Sequence, residues 1–257
     1  MWDCPSFLDL PVRGGKPRLR GLTHVLDRGM GVAALESVLG QVADLVDVLK
    51  IGWGISYIDP AAKDRVALCD AAAITVCLGG TLLEVAMAQG RVEDLRRWAG
   101  DLGVHAVEVS NGLEWLSPER KSDLIRSLSS EFIVLAETGA KDGGTAVVAD
   151  KWIAEMAADL DAGARWVIAE GRESGTVGLY DDDGRVREAL VEAIADRVPL
   201  DRVIFEAPRK AQQVWFIENL GFEVNLGNVP VTEVLPLETL RLGLRADTAT
   251  ANVAFRR

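Results

Sequence analysis

The chain has 257 residues, 49% of them apolar, and a net charge of −11. This length suits one large α/β domain or two small ones, and the apolar share can supply a sizeable core. The charge argues against nucleic acid or an anionic membrane surface as a partner. No apolar run approaches the roughly 20 residues of a membrane span, and the N-terminus lacks the pattern of a secretion signal. We therefore expect neither membrane insertion nor secretion.

Eight short apolar runs alternate along the chain with segments of helical periodicity. Most of these runs are continuously apolar rather than alternating, which is typical of a parallel sheet covered on both faces. They span Gly21–Asp27, Leu45–Trp53, Ala73–Gly80, His105–Gly112, Phe132–Gly139, Trp166–Gly171, Arg202–Pro208 and Phe222–Asn228.

Helix boundaries between the runs carry their own signals. Asp59-Pro60 and Ser117-Pro118 each place a capping residue before a proline at the first helical position. Glycines mark the expected helix ends at Gly103, Gly163 and Gly221.

Eight β-α units in about 250 residues predict a (β/α)8 TIM barrel. A doubly wound open sheet is the alternative, but no G-x-G-x-x-G follows the first run. We predict a single barrel domain over residues 1–257, with a short N-terminal extension at about residues 1–19.

Four successive runs carry a glutamate near their carboxyl ends, at Glu108, Glu137, Glu170 and Glu206. In this fold the carboxyl ends of the strands meet at one rim, which carries the chemistry. Like charges gathered there raise one another's pKa unless cations compensate. A hard divalent cation such as Mg²⁺ prefers oxygen ligands of this kind. The sequence therefore predicts a Mg²⁺ site at this rim.

Basic residues and glycines are interleaved with these glutamates. Lys50, Lys141 and Arg172 would meet an anionic substrate. Gly79-Gly80 and the turn at Asn225–Asn228 offer backbone N–H groups of the kind that hold phosphate. We expect a small phosphorylated anion as the ligand.

Other candidate groups receive plainer interpretations. His24 and His105 lie in apolar runs and are predicted to be core or wall residues. Ser110 and Ser174 have no evident base partner, which argues against a hydrolase triad. The three cysteines lack CxxC spacing and predict reduced thiols in a cytoplasmic protein.

Several segments together resemble the phosphosulfolactate synthase family. They are RGLTHVLDRG, DVLKIGWG, GGTLLE, VEVSNG, EGRESG, IFEAPRKAQQ, VNLGN and LETLRLGLRADT, and they cover most of the chain. The resemblance implies a (β/α)8 barrel, usually oligomeric. It also implies a Mg²⁺-dependent addition of sulfite to C3 of phosphoenolpyruvate, which forms phosphosulfolactate.

The resemblance also implies roles for individual residues. Lys141, in ETGAK, would be the general acid. On the mechanism that follows, Glu108 and Glu137 would hold Mg²⁺, and Lys50 and Arg172 would hold the substrate. Glu170 joins the catalytic candidates, and the substrate-binding and phosphate-binding candidates are Asp27, Gly79, Gly80, Thr81, Ser110, Glu173, Ser174, Glu206, Asn225, Gly227 and Asn228.

The chain departs from the family pattern at four positions near the rim. Arg28 replaces a lysine, Ile55 a hydroxyl residue, Asn111 an aspartate and Ala140 a lysine. Two alternatives therefore stay open. One is a different nucleophile adding to phosphoenolpyruvate or a similar enol phosphate, and the other is a non-catalytic relative that binds a phosphorylated ligand.

Overall fold

The computed structural model describes residues 7–112, 115–139 and 148–249. Eight parallel strands close into a barrel in chain order, so the predicted (β/α)8 fold is confirmed. The strands are β1 Thr23–Asp27, β2 Val48–Ile51, β3 Thr75–Leu78, β4 Ala106–Val109, β5 Ile133–Thr138, β6 Trp166–Ala169, β7 Val203–Glu206 and β8 Leu226–Pro230.

Helices surround the barrel and connect its strands. They are α1 Val32–Val42, α2 Ile55–Ile58, α3 Ala62–Ala71, α4 Gly80–Ala88, α5 Val92–Leu102, α6 Pro118–Leu128, α7 Ala149–Asp161, α8 Glu188–Arg197, α9 Lys210–Leu220 and α10 Val234–Arg241. Short 3₁₀ segments lie at Ala43–Leu45, Leu200–Arg202 and Val231–Glu233. Within the described part of the chain, no helix is both long and apolar enough to cross a membrane.

Two apolar layers hold the fold together. The larger fills the space between the barrel and its helices, with residues such as Leu49, Ile125 and Phe205 almost fully buried. The smaller lies inside the barrel and comprises Leu22, Val48, Cys77, Ala106, Leu135, Trp166, Ile168 and Ile204. This inner layer fills the interior of the barrel with apolar side chains.

All three predicted helix ends agree with the structure, since Gly221 caps α9 and Gly163 follows the cap of α7, but only one of the two predicted starts does. Ser117 caps α6 by accepting a hydrogen bond from the Arg120 N–H, and Gly103 ends α5 with a φ of 85°. The prediction of Asp59 as the cap of α3 is wrong, because that helix begins at Ala62. Asp59 ends the preceding helix α2 instead, and its carboxylate pairs with Arg65.

Candidate functional site

Polar side chains inside the barrel follow the apolar inner layer at a spacing of two residues. Residues two apart on a strand face the same side of the sheet. Each member of the set therefore stands directly above an inward-facing apolar residue such as Val48 or Ile204. We call this set the polar ring; its members, all buried, are His24, Lys50, Glu108, Glu137, Glu170 and Glu206.

The polar ring opens into a cavity of about 320 Å³ at the carboxyl ends of the strands. This volume lies near the lower end of the range of about 300–1,000 Å³ that is usual for small-molecule sites. The lining residues are Leu26, Lys50, Gly52, Trp53, Gly79, Gly80, Thr81, Glu108, Ser110, Glu137, Glu170, Arg172, Glu173, Glu206 and Asn228.

Lys50 lies between two glutamates at the floor of this cavity. Its Nζ is 2.9 Å from Glu108 Oε1 and 3.3 Å from Glu206 Oε1. Burial lowers the pKa of Lys50, but the carboxylates of Glu108, Glu206 and Glu137 outweigh burial and raise it above its usual value. These carboxylates therefore favour the charged form of Lys50.

The carboxylates of the ring outnumber this buried cation. Burial raises the pKa of Glu137 well above its usual range, and the charges of Glu170, Glu206 and Glu108 raise it further. Burial also raises the pKa of Glu108, although the Lys50 ammonium opposes that shift. An added cation would relieve the repulsion between these groups.

The loop after β6 folds back over the ring through its backbone. Glu206 Oε2 accepts hydrogen bonds from the N–H groups of Gly171 and Arg172, at 2.9 and 2.7 Å. Arg172 has a φ of 56°, a conformation that non-glycine residues seldom adopt. Its guanidinium Nε lies 3.8 Å from Glu170 Oε1, and the side chain is 38% exposed. Its guanidinium can therefore meet an anion at the mouth of the cavity.

Four of the predicted site residues do not line the cavity. Asp27 is buried, with one carboxylate oxygen accepting from Gly29 and Met30 and the other paired with Arg65. Ser174 is exposed and its hydroxyl pairs with that of Thr176. Asp27 therefore stabilises the first βα loop. The other two are Asn225, which precedes β8, and Gly227, which lies within it.

The predicted turn at Asn225–Asn228 is wrong, because β8 begins at Leu226. Asn225 precedes the strand, at the end away from the cavity, and its amide bonds the backbone of Leu22, Leu200 and Val203. Gly227 lies within the strand. Only Asn228 of this segment lines the cavity.

The backbone N–H groups that were expected to hold phosphate have partners within the protein. Gly79 donates to the Ile51 carbonyl, and Gly80 donates to Glu108 Oε2 at 3.1 Å. Asn228 donates to His24 Nδ1 at 3.3 Å. The cavity therefore offers anions its side-chain cations rather than these three amides.

The sequence interpretation missed two residues that shape the site. Glu84, on α4, accepts a hydrogen bond from the Ser110 hydroxyl, and Trp53 lines the cavity with a φ of 49°. Both lie in segments that carry the family resemblance, GGTLLE and DVLKIGWG, but neither was predicted as a site residue. The structure does not describe Lys141 and Ala140, so the prediction for Lys141 lies outside the described residues.

The fold and site together define a class of protein. It is a TIM barrel with a buried, carboxylate-rich cavity at the carboxyl ends of its strands, where enzymes of this fold place their chemistry. The sequence profile of a family described as (2R)-phospho-3-sulfolactate synthase (ComA) matches residues 11–247. The chain belongs to this family and is an enzyme of the lyase type.

Relatives within the family match over nearly their whole length. A phosphosulfolactate synthase from Methanothermobacter thermautotrophicus is 42% identical over 93% of this chain and 95% of its own. One from Methanocaldococcus jannaschii is 42% identical over 89% of this chain and 94% of its own. One from Bacillus subtilis is 37% identical over 94% of this chain and 97% of its own.

More distant solved structures share the fold alone. The 3-hexulose-6-phosphate synthase from Salmonella typhimurium superposes with a TM-score of 0.55 at 14% identity, over 90% of this chain and 94% of its own. Rhizobium etli pyruvate carboxylase gives a TM-score of 0.56 at 13% identity, over 84% of this chain and 24% of its own.

Proposed function

We propose that the protein is a Mg²⁺-dependent synthase that adds sulfite to C3 of phosphoenolpyruvate and forms phosphosulfolactate. The observation that carries the proposal is the polar ring, where four buried glutamates and one buried lysine share the barrel interior in a chain of this family. The relatives named above carry the name of this activity. Both substrates are anions, and Lys50 and Arg172 are the cations that line the described cavity.

The donor set of the ring suits a hard divalent cation. Among the described residues, no group of three or more His, Cys, Asp or Glu side chains is arranged to hold a metal ion. Mg²⁺ needs fewer protein ligands, since it usually keeps several waters and binds through one or two carboxylates and substrate oxygens. When bound, it would supply Lewis-acid stabilisation of charge that develops on the substrate carboxylate.

The pair that would hold Mg²⁺ differs from the pair expected from the sequence. Glu108 Oε1 faces Lys50 and its Oε2 accepts from Gly80, so both of its oxygens are engaged within the protein. Burial raises the pKa of Glu137 most. Among its charged neighbours Glu170 raises that pKa most, because the two carboxylates repel each other. We therefore move the proposed ligands from Glu108 and Glu137 to Glu137 and Glu170.

The protein's own side chains would bind the substrate and move the proton. Arg172 would hold a phosphate or carboxylate at the cavity mouth with charge-assisted hydrogen bonds. Sulfite sulfur would bond to C3, the π electrons of C2=C3 would move toward the carboxylate, and C2 would then take a proton. We retain Lys141 as the donor of that proton, as the family resemblance implies.

Three departures from the family pattern lie off the cavity, and this supports sulfite as the nucleophile. Asn111 bonds the backbone of Leu116 through both ends of its amide, at 2.8 and 2.9 Å. Arg28 and Ile55 are not among the described residues that line the cavity. These changes therefore do not alter the described lining where the nucleophile would bind.

We also propose that the enzyme works in the cytoplasm as a homo-oligomer. Cys69 and Cys77 are buried free thiols, which suits a reducing compartment. The oligomer is an implication of the family resemblance, and light scattering after gel filtration would measure its size. A monomer at micromolar concentration would contradict it.

Binding and turnover assays together test the reaction. With Mg²⁺ and phosphoenolpyruvate at about 100 times their dissociation constants, the melting temperature should rise by about 5–10 °C, and more than with either alone. With sulfite added, ³¹P NMR should show phosphosulfolactate, and a chelator should stop its formation. A product only with another nucleophile would support that alternative, and stabilisation without any product would indicate a binding protein.

A further inference from the structure

His24 belongs to the polar ring but has no role in the proposed reaction. It lies on β1, fully buried, two residues after Leu22 of the inner layer. Its Nδ1 accepts a hydrogen bond from the backbone N–H of Asn228 at 3.3 Å. A neutral imidazole has one donor and one acceptor nitrogen, so its proton resides on Nε2.

The protonated nitrogen of His24 faces a carboxylate of the ring. Nε2 lies 3.6 Å from Glu108 Oε1, slightly beyond hydrogen-bond length but close enough for attraction between the N–H and the charge. The same oxygen is 2.9 Å from Lys50 Nζ. Burial, and then the nearby Lys50 ammonium, hold the pKa of His24 well below its usual range. His24 thus offers Glu108 a donor without adding a second positive charge.

A glycine on β8 allows the imidazole to come this close. A Cβ atom added at Gly227 would lie 3.2 Å from His24 Nδ1 and 2.8 Å from Ile204 Cγ2. Contacts this short would force the neighbouring side chains to move. Gly227, expected from the sequence to bind phosphate, instead makes room for the histidine ring.

These contacts form a continuous path across the barrel. It runs from the Asn228 backbone through His24 to Glu108, and from there through Lys50 to Glu206. Glu206 in turn holds the backbone of the loop that carries Arg172. The orientation of Glu108 therefore bears on every other member of the path.

We infer that His24 is a positioning residue, a neutral imidazole that links β8 to Glu108 and thereby fixes the Lys50–Glu108 pair in the cavity. This orientation matters for turnover only if the cavity performs the proposed reaction, so the inference rests on the proposed function. The protonation state of His24 does not depend on that reaction and can be measured without substrate.

The wild-type protein provides the first test. The chain has two histidines, so a long-range ¹H–¹⁵N spectrum of labelled protein contains two imidazoles. His24 should show the neutral Nε2–H tautomer throughout the range of about pH 5–8, where free histidine changes charge. His105, whose side chain is 56% exposed, gives the second imidazole in the same spectra. A protonated His24 at neutral pH, or the Nδ1–H tautomer, would overturn the inference.

Substitutions of His24 show which of its two ring nitrogens supports activity. His24→Gln places an amide near the position of Nε2 and should keep kcat/KM within about threefold of wild type. His24→Asn and His24→Leu have no donor there, and each should lose about 10- to 100-fold in kcat/KM, the usual cost of removing a group that orients a functional side chain. His105→Gln is the control and should behave as wild type. Equal activity of the Gln and Leu variants would overturn the inference.

The two proposals fail in different ways. The tautomer is measured without substrate, so it remains decisive even if the variants do not fold. A protein with the expected tautomer and no turnover of phosphoenolpyruvate and sulfite would contradict the proposed function and still support this role of His24.

Discussion

Two buried lysines, Lys50 and Lys121, differ in their surroundings: Lys121 is enclosed by acceptors, whereas Lys50 faces an open cavity. Lys121 is on α6, outside the barrel, and its Nζ donates to the Glu137 carbonyl, to Glu155 and to Asp159, at 2.8, 2.6 and 2.7 Å. All three of its protons have acceptors. Lys50 is inside the barrel among four glutamates and faces a cavity of about 320 Å³.

The difference shows how to separate a structural ion cluster from a functional one. Burial lowers the pKa of Lys121, and the two carboxylates raise it by more, so both lysines are held as cations. A shifted pKa therefore does not distinguish them. What distinguishes them is surplus negative charge next to open volume, which occurs around Lys50 and which an incoming cation and an anionic substrate can use.

The largest expected effect is on Lys50. In Lys50→Met, Glu108 and Glu206 lose the cation between them, and breaking a buried ion pair usually costs about 3–5 kcal/mol. We expect kcat/KM to fall by about 10³ or more, which corresponds to about 4 kcal/mol. Steady-state kinetics on folded protein measures this. Activity within tenfold of wild type would show that Lys50 has no role in the reaction.

Lys121→Met should act on stability instead. It leaves Asp159 buried without its cation, so the free energy of unfolding should drop by about 3–5 kcal/mol, with kcat within about tenfold of wild type. Urea denaturation measures the loss. The double variant Lys121→Met/Asp159→Leu is the matched control and should recover part of it. A variant as stable as wild type would show that the cluster is not structural.

Arg172→Ala tests the cation at the cavity mouth. It removes charge-assisted hydrogen bonds that are made in both ground and transition states, so phosphoenolpyruvate should bind about 10- to 100-fold more weakly. Calorimetric titration measures this affinity. Lys141→Ala is the contrasting variant and should lower kcat while leaving the affinity nearly unchanged. Unchanged binding in Arg172→Ala would place the anion elsewhere.

The smallest expected effect concerns acid stability, and it arises in the Lys50 region. The folded state holds the pKa of His24 well below 6.5, so below about pH 6.5 the unfolded chain binds a proton that the folded chain does not. The contribution of His24 to the free energy of unfolding is therefore complete above about pH 6.5 and is lost as the pH falls below it. Relative to His24→Gln, wild type should lose up to about 1.4 kcal/mol per pH unit. Parallel stability curves for the two proteins would contradict this.

The sequence predicted the barrel and most of the rim because both depend on local patterns. Short apolar runs define the strands. A charged residue two positions after an inward-facing apolar residue lies on the same face of the sheet and therefore also points into the barrel. His24 has the same spacing, two residues after Leu22, but it was interpreted as a core residue because its run is apolar. Asp27 and Asn225 were misplaced for another reason. The partner of Asp27 is Arg65, on another element, and the starting residue of β8 depends on pairing with β1 and β7.

Direct titration of the metal tests whether the surplus carboxylates of the polar ring hold a divalent cation. Calorimetry with Mg²⁺ in the presence of phosphoenolpyruvate should show binding to wild type and to Glu108→Gln. Glu137→Gln and Glu170→Gln should each bind at least about tenfold more weakly. Wild-type affinity in both of these variants, or no Mg²⁺ binding to the wild-type protein, would contradict the account.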